Sequence, residues 1–333
     1  MDVMQFTQAL SRIWVLETRL LDKTKVERML EANSADEVLK ILGETEYANI
    51  MGNIKRAADY EEILSTELKR VYKLVYELCP VKEIVDLMST KYKYHNIKVL
   101  LKGKFLNKDF SNMLIDLGKE DLSDLKRKID TDNFRDLKGN VEKAVLEVIS
   151  DFEANKDPQK IDIIVDRYMF KELDEIKKSL NYKFTDKLVN AMIDSTNVRT
   201  LLRVKKQGKG REFASEVLVT GGAISKDTLV AIINETPENI ISKLSTSIYS
   251  DLIKEGVESY IATNSANLLE KLSDNYIMDL MKSGKLVTFG PERILSYIYA
   301  KETEIKIIRI IMVGKLNNIT EEVIRERLRD IYV

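Results

Sequence analysis

The sequence predicts an all-α fold built from three similar helical bundles. Three observations predict it. Apolar residues recur at helical spacing along almost the whole chain. Only four Pro and thirteen Gly interrupt 333 residues, too few breakers for an all-β protein. And one phrase is written three times, as Asn96-Ile-Lys-Val-Leu-Leu-Lys102, Asn197-Val-Arg-Thr-Leu-Leu-Arg203 and Ile307-Ile-Arg-Ile-Ile-Met-Val313. The starts lie 101 and 110 residues apart (197 minus 96, 307 minus 197), so three such steps fill the chain. A chain made of one unit in triplicate suggests a scaffold of approximate threefold symmetry rather than a pocket around one reaction. The expected domains are 1–111, 112–217 and 218–333.

The elements follow in order. Ile13, Leu16, Leu20 and Leu21 mark one face of a first helix, with Trp14 beside it. Ser34-Ala-Asp-Glu37 has the capping-box pattern and opens a short helix to Leu42. Asp59-Tyr-Glu-Glu62 opens a long helix that stops near Cys79-Pro80. Residues 81–105 carry the first phrase. Short capped helices are expected over 109–138 and a longer one over 140–153. Asp157-Pro158 begins a helical region, and 184–207 carry the second phrase. After loops at Gly208 and Gly221-Gly222 come paired helices over 225–234 and 236–244, the second with Pro237 in its first turn. Phe289-Gly-Pro-Glu292 opens the last long helix, to about Lys315.

A second element follows each phrase and also opens the chain. An apolar residue precedes a small polar one and a new helical period, at Leu21-Asp22, Leu106-Asn107, Ile224-Ser225 and Ile319-Thr320. All four polar residues are good N-caps.

Composition excludes several classes. Apolar residues at 44% and charged residues at 32% make a foldable chain. The 53 basic and 54 acidic residues leave a net charge of −1, against the basic excess of a general nucleic-acid binder. Cys79 is the single cysteine, which rules out an internal disulfide and any Cys-rich zinc site. No run of 18 or more apolar residues provides a spanning helix. The start lacks a basic n-region and an apolar signal core. The expected location is therefore the cytoplasm, with membrane association only through a partner.

Catalytic signals are weak. Gly208-Lys-Gly-Arg and Ser283-Gly-Lys-Leu lack the spacing of a phosphate-cradling loop. His95, the one histidine, sits inside the repeated phrase, where Thr196 and Lys306 take its place in the other copies, so it reads as a packed helix residue rather than a general base. Glu61-Glu62 and Glu321-Glu322 sit at helix starts, where the macrodipole favours them. No catalytic, metal-binding or cofactor-binding residue is expected, and no cofactor.

The phrase itself holds the candidate site. Its last copy is apolar over nearly the whole circumference, apart from one stripe with Lys306 and Arg309. Such a helix is buried, and its cations must meet carboxylates, a helix C-terminus or a wet cavity. Superposing the phrases puts Lys98, Arg199 and Arg309 at one position. Either each pairs with a carboxylate inside its own domain and anchors the bundle, or all three face a shared central space open to an acidic or polar partner.

The phrases also carry a family resemblance. Tyr92 to Lys102, Phe289 to Glu302, Arg309 to Leu316 and the first helix, Arg12 to Leu21, resemble the C subunit of the prokaryotic V-type (A-type) rotary ATPases, the counterpart of the d subunit of eukaryotic V-ATPases. The likeness spans the whole chain. Arg293 departs from a proline common after Gly-Pro-Glu, and Ile307 from the Asn of the other phrases. The resemblance implies a funnel of three similar helical domains about a pseudo-threefold axis. It implies a non-catalytic rotor socket joining the central-shaft D and F subunits to the membrane proteolipid ring in ATP-linked proton or sodium transport. On its own the protein is expected to be a monomer. The stretches near 43–58, 154–160 and 283–291 are candidate ring contacts. The alternative reading is a generic helical scaffold for soluble partners.

Overall fold

The computed structural model describes residues 2–53 and 56–333 and is helical throughout, with no strand among them. Ile54 and Lys55, within the 43–58 stretch, lie outside the described residues. The chain divides into two compact units, one of residues 1–88 and 274–333, the other of residues 89–273. The first is discontinuous and the second continuous.

The first unit begins with α1 (Thr7–Glu17), α2 (Lys23–Glu31) and α3 (Ala35–Leu42). Asp22 caps α2 by accepting from the Lys25 amide at 2.8 Å, and Ser34 caps α3 by accepting from Glu37 N at 3.2 Å. Glu37 answers by accepting from Asn33 N at 2.7 Å, one residue earlier than a standard box would place it. Long α4 (Tyr60–Leu78) follows. Asp59 does not cap it. Its backbone is near-helical at the end of a 3-10 turn, and its carboxylate holds Arg56 instead. The helix ends before Cys79-Pro80, because proline disfavours the helical conformation in the residue before it. Then comes α5 (Lys82–Leu106), inside which the division between the units falls.

In the continuous unit α5 is followed by α6 (Leu122–Asp130), α7 (Gly139–Asn155), α8 (Pro158–Leu180), α9 (Lys183–Lys206), α10 (Arg211–Val217), α11 (Lys226–Ile232), α12 (Pro237–Lys243) and α13 (Ser250–Thr263). Asp157, Ser225 and Thr236 cap α8, α11 and α12 with their side chains. Tyr94, Ile97 and Leu101 of α5 pack with Ile129 of α6, Val145 and Val148 of α7 and Ile161 and Val165 of α8 in one buried cluster. Over 109–138 the expected helices reduce to α6 and two short 3-10 turns. Asn107 is not an N-cap: at φ 50° it adopts the left-handed conformation just past the end of α5, a position asparagine tolerates because its short side chain bonds locally.

The second division falls inside α14 (Asn267–Ser283). The chain then returns to the first unit with α15 (Glu292–Leu316) and α16 (Glu321–Arg327). Thr320 stands at the cap position of α16 without a side-chain cap bond to its amides. The burial of α15 is extensive, with Ile298, Ile305, Ile308 and Ile311 all inside. It packs against α1, α3 and α4. The first unit's core is therefore made by the two ends of the chain.

Candidate functional site: interhelical joints on the repeated phrase

Each of the three equivalent cations meets a carboxylate on a neighbouring long helix. Lys98 on α5 holds Asp166 on α8 at 2.8 Å. Arg199 on α9 reaches Glu270 on α14 at 3.4 Å. Arg309 on α15 grips Glu61 on α4 with two bonds of 2.7 and 3.0 Å. The partners lie outside the sequence range of the cation in each case: 1–111 pairs with 112–217, 112–217 with 218–333, and 218–333 with 1–111. Lys98 and Arg199 lie in the continuous unit and Arg309 in the discontinuous one. Lys102, one turn beyond Lys98, adds a pair with Asp162 at 2.7 Å. Its counterpart in α15 is Val313, 40% exposed. The three cations and their carboxylates stay partly in water, so each pair contributes only about 0.2–1 kcal/mol.

Two residues before Lys98 and Arg199 lies a second joint. Asn96 accepts from Ile115 N and donates to Ile115 O, both at 2.8 Å. Asn197 does the same to Val219, at 2.9 and 2.8 Å. One amide side chain satisfies both backbone groups of the chain passing over its helix, as a buried backbone segment requires. Ile307 cannot do this. It instead lines an apolar gap with Leu20, Leu21 and Val26 from the start of the chain and Ile331 and Tyr332 from its end.

Three residues before the asparagine position is a third joint. Asp194 on α9 is buried and accepts from Ala223 N at 2.8 Å and Ile224 N at 3.1 Å. A Cβ on Gly222 would stand 2.0 Å from its Oδ1, so this glycine is required by a close approach. Burial pushes the Asp194 carboxyl above its usual range, against the pull of those two amides. At the same position on α15, Glu304 accepts from Leu21 N at 2.6 Å. Ile224 and Leu21 each directly precede the N-cap of the next short helix. The same bond therefore occurs twice, once within continuous chain and once between its last and first segments.

Around Glu304 is a cluster that the sequence did not announce. Lys301, 1% exposed, lies 2.7 Å from Glu304 and 3.0 Å from Glu67, which is fully buried. Arg70 binds Glu67 with bonds of 2.7 and 2.9 Å, and the Tyr47 hydroxyl donates to Glu304 at 2.8 Å. Two cations balance two carboxylates. Burial pushes the Glu67 carboxyl up, but the Arg70 bonds and the Lys301 charge outweigh it and hold it below its ordinary value. Burial likewise works against the Lys301 ammonium, and Glu304 and Glu67 outweigh it, keeping the charge on. In the sequence, Lys301-Glu-Thr-Glu304 is a run of charged and polar residues. The available signal was its position among Ile298, Ile305 and Ile308 on a helix with no polar side wide enough to hold it.

The remaining sequence candidates have structural surroundings. His95 Nε2 is 2.9 Å from the Met113 carbonyl oxygen. Cys79 is buried, its thiol 3.1 Å from Val81 O and pushed up to about 11 by burial. Lys306, on the stripe with Arg309, holds Asp274. Among the described residues no helix is long and apolar enough to cross a membrane.

Long helices joined by paired charges and backbone staples define the class of protein as all-helical. Comparison with known proteins makes this specific. Residues 9–327 match the family described as ATP synthase (C/AC39) subunit, and the chain belongs to it. It is 30% identical over 318 residues to the C subunit of the V-type sodium ATPase of Enterococcus hirae, covering 95% of each chain. It is 25% identical over 351 residues to the C subunit of the A-type ATP synthase of Methanocaldococcus jannaschii, covering 98% of this chain and 87% of that one.

Proposed function

We propose that this chain is a non-catalytic component of a V-type or A-type rotary ATPase, joining the central-shaft D and F subunits to the membrane proteolipid ring. The observation that carries the reading is the family match across residues 9–327, supported by relatives that are themselves C subunits over nearly their full length. Torque transmission needs a stiff body, and close-packed long helices supply it. It also needs grip over a broad contact rather than a deep pocket.

The proposal includes three similar domains, 1–111, 112–217 and 218–333, related by a pseudo-threefold axis. Its support is the recurrence of the cation joint, which runs from each phrase helix to a long helix of the next range and from the last range back to the first. In this reading Lys98, Arg199 and Arg309 anchor neighbouring helices. The test is size-exclusion chromatography of the purified chain with the D–F pair, then with detergent-solubilised ring. Joint elution with both is expected. Elution alone, by a protein shown to be folded, overturns the proposal.

A further inference from the structure

The discontinuous unit carries an apolar corner that the joints do not use. Leu286 is 88% exposed, more than any other large hydrophobic described, and Trp14, Val15 and Phe289 are 40–53% exposed. Bonds beneath tie Trp14, through Arg293, to the residue before Leu286. The Arg293 guanidinium lies 4.7 Å over the Trp14 ring and donates to Lys285 O at 2.8 Å, directly before Leu286. Glu17 of α1 accepts from Arg293 at 2.7 Å and from the Tyr332 hydroxyl at 2.8 Å. Lys285 stands 4.0 Å over the Tyr332 ring and donates to its carbonyl at 2.6 Å. The corner is thus firmly supported underneath and apolar on top.

Its charge is distinctive. Lys282 and Arg293 both act electrostatically on Lys285, which marks three cations in one neighbourhood. Glu17, turned inward to Arg293 and Tyr332, and the buried Glu292, packed at Gly284, offset part of that charge. A projecting leucine beside an amphipathic indole, with Lys282 behind and Lys285 and Arg293 fixed beneath, is the composition of a headgroup-level contact. In such a contact the leucine enters the acyl boundary, the indole stays at the wet interface, and a lysine extends toward phosphates.

We infer that the corner formed by α1 and the turn 284–291 seats on an anionic lipid surface, with Leu286 and Trp14 as its apolar contacts and Lys282 facing the headgroup phosphates. Contact of this size is weak and reversible. It supplements association through partner proteins and is independent of the coupling function.

Trp14 is the only tryptophan, so the full chain reports on its own corner. It would be mixed with unilamellar vesicles of phosphatidylglycerol and phosphatidylcholine, or of phosphatidylcholine alone. The expected result is a blue-shifted Trp14 emission, quenching by brominated acyl chains and co-sedimentation, all with the anionic vesicles and all decreasing with salt. L286E alters a side chain that is almost wholly in solvent and is expected to weaken binding at least about tenfold, as a leucine buried in lipid is replaced by a charge near acidic headgroups. K282Q is expected to weaken it about fivefold. An unchanged emission with anionic vesicles, from a folded protein, overturns the inference. Equal binding to neutral vesicles overturns the headgroup assignment. Loss of ring binding in L286E, with no vesicle binding by the parent, assigns the corner to a protein partner instead. Because the vesicles contain no other part of an ATPase, a failure here leaves the coupling proposal standing.

Discussion

The α9 region of the continuous unit and the α15 region of the discontinuous unit use the same phrase to hold a neighbouring segment, but in different chemistry. On α9, Asn197 staples Val219 and Asp194 accepts from Ile224, 22 and 30 residues downstream. On α15, Ile307 fills an apolar gap, and Glu304 takes the Leu21 amide from 283 residues away while locked to Lys301. A local staple closes a short loop at small entropic cost. Joining the two ends of a long chain costs more, although the cost grows only slowly with length. The distant joint is also the one that combines apolar burial with a balanced buried charge cluster. The difference teaches that one repeated phrase tolerates two kinds of neighbour, provided that every buried polar group finds its partner.

The largest expected effect that would break this comparison is K301A. It leaves buried Glu304 with no cation and Glu67 with Arg70 alone, and removing one member of a buried ion cluster costs about 3–5 kcal/mol. Urea denaturation followed by hydrogen exchange should show loss of protection in 61–72 and 297–308 before 188–224. Uniform loss in all three would show that the units do not behave separately.

N197A comes next. It leaves the Val219 N–H and C=O without their partner, at about 1–3 kcal/mol. Its protection loss should centre on 188–224. The converse change, I307N, puts an amide into an apolar gap and should destabilise by a similar amount. A thermal shift toward greater stability in I307N would mean that the α15 site accepts the staple of the other two phrases.

Acid should separate the regions with opposite signs. The Glu67 carboxyl is held below its ordinary 4.5 in the folded protein. Its contribution is therefore present above that value and lost as pH falls through the folded value. Asp194 is raised by burial, so its contribution is full below the unfolded value and declines as pH rises through the folded one. Between neutral pH and about pH 4, acidification should relieve Asp194 before it affects Glu67; further acidification should weaken the α15 region first. Hydrogen exchange across a pH series, corrected for intrinsic rates, checks the order.

The smallest stability effects belong to the cation position. K98A, R199A and R309A remove half-exposed pairs and should each cost less than about 1 kcal/mol. Charge reversal at Arg199 sharpens the functional side. If binding to the D–F pair falls while the melting temperature holds, the cation meets a partner. A collapse of the melting temperature would make it an internal anchor alone.

The sequence by itself determined the helical character, most helix boundaries and the recurrence of the phrase, because periodicity, proline and capping act within a few residues. Asp22, Ser34 and Ser225 cap as their local pattern requires. It also singled out Lys98, Arg199 and Arg309. The tertiary structure alone decided which carboxylates they meet, since Asp166, Glu270 and Glu61 are 68, 71 and 248 residues away. It decided too that Asn107 ends a helix rather than begins one, and that Lys301 is buried. No local pattern distinguishes a lysine facing water from one facing two carboxylates. That depends on the chain start folding against the chain end, a contact whose energy is set by packing and desolvation rather than by neighbours in sequence.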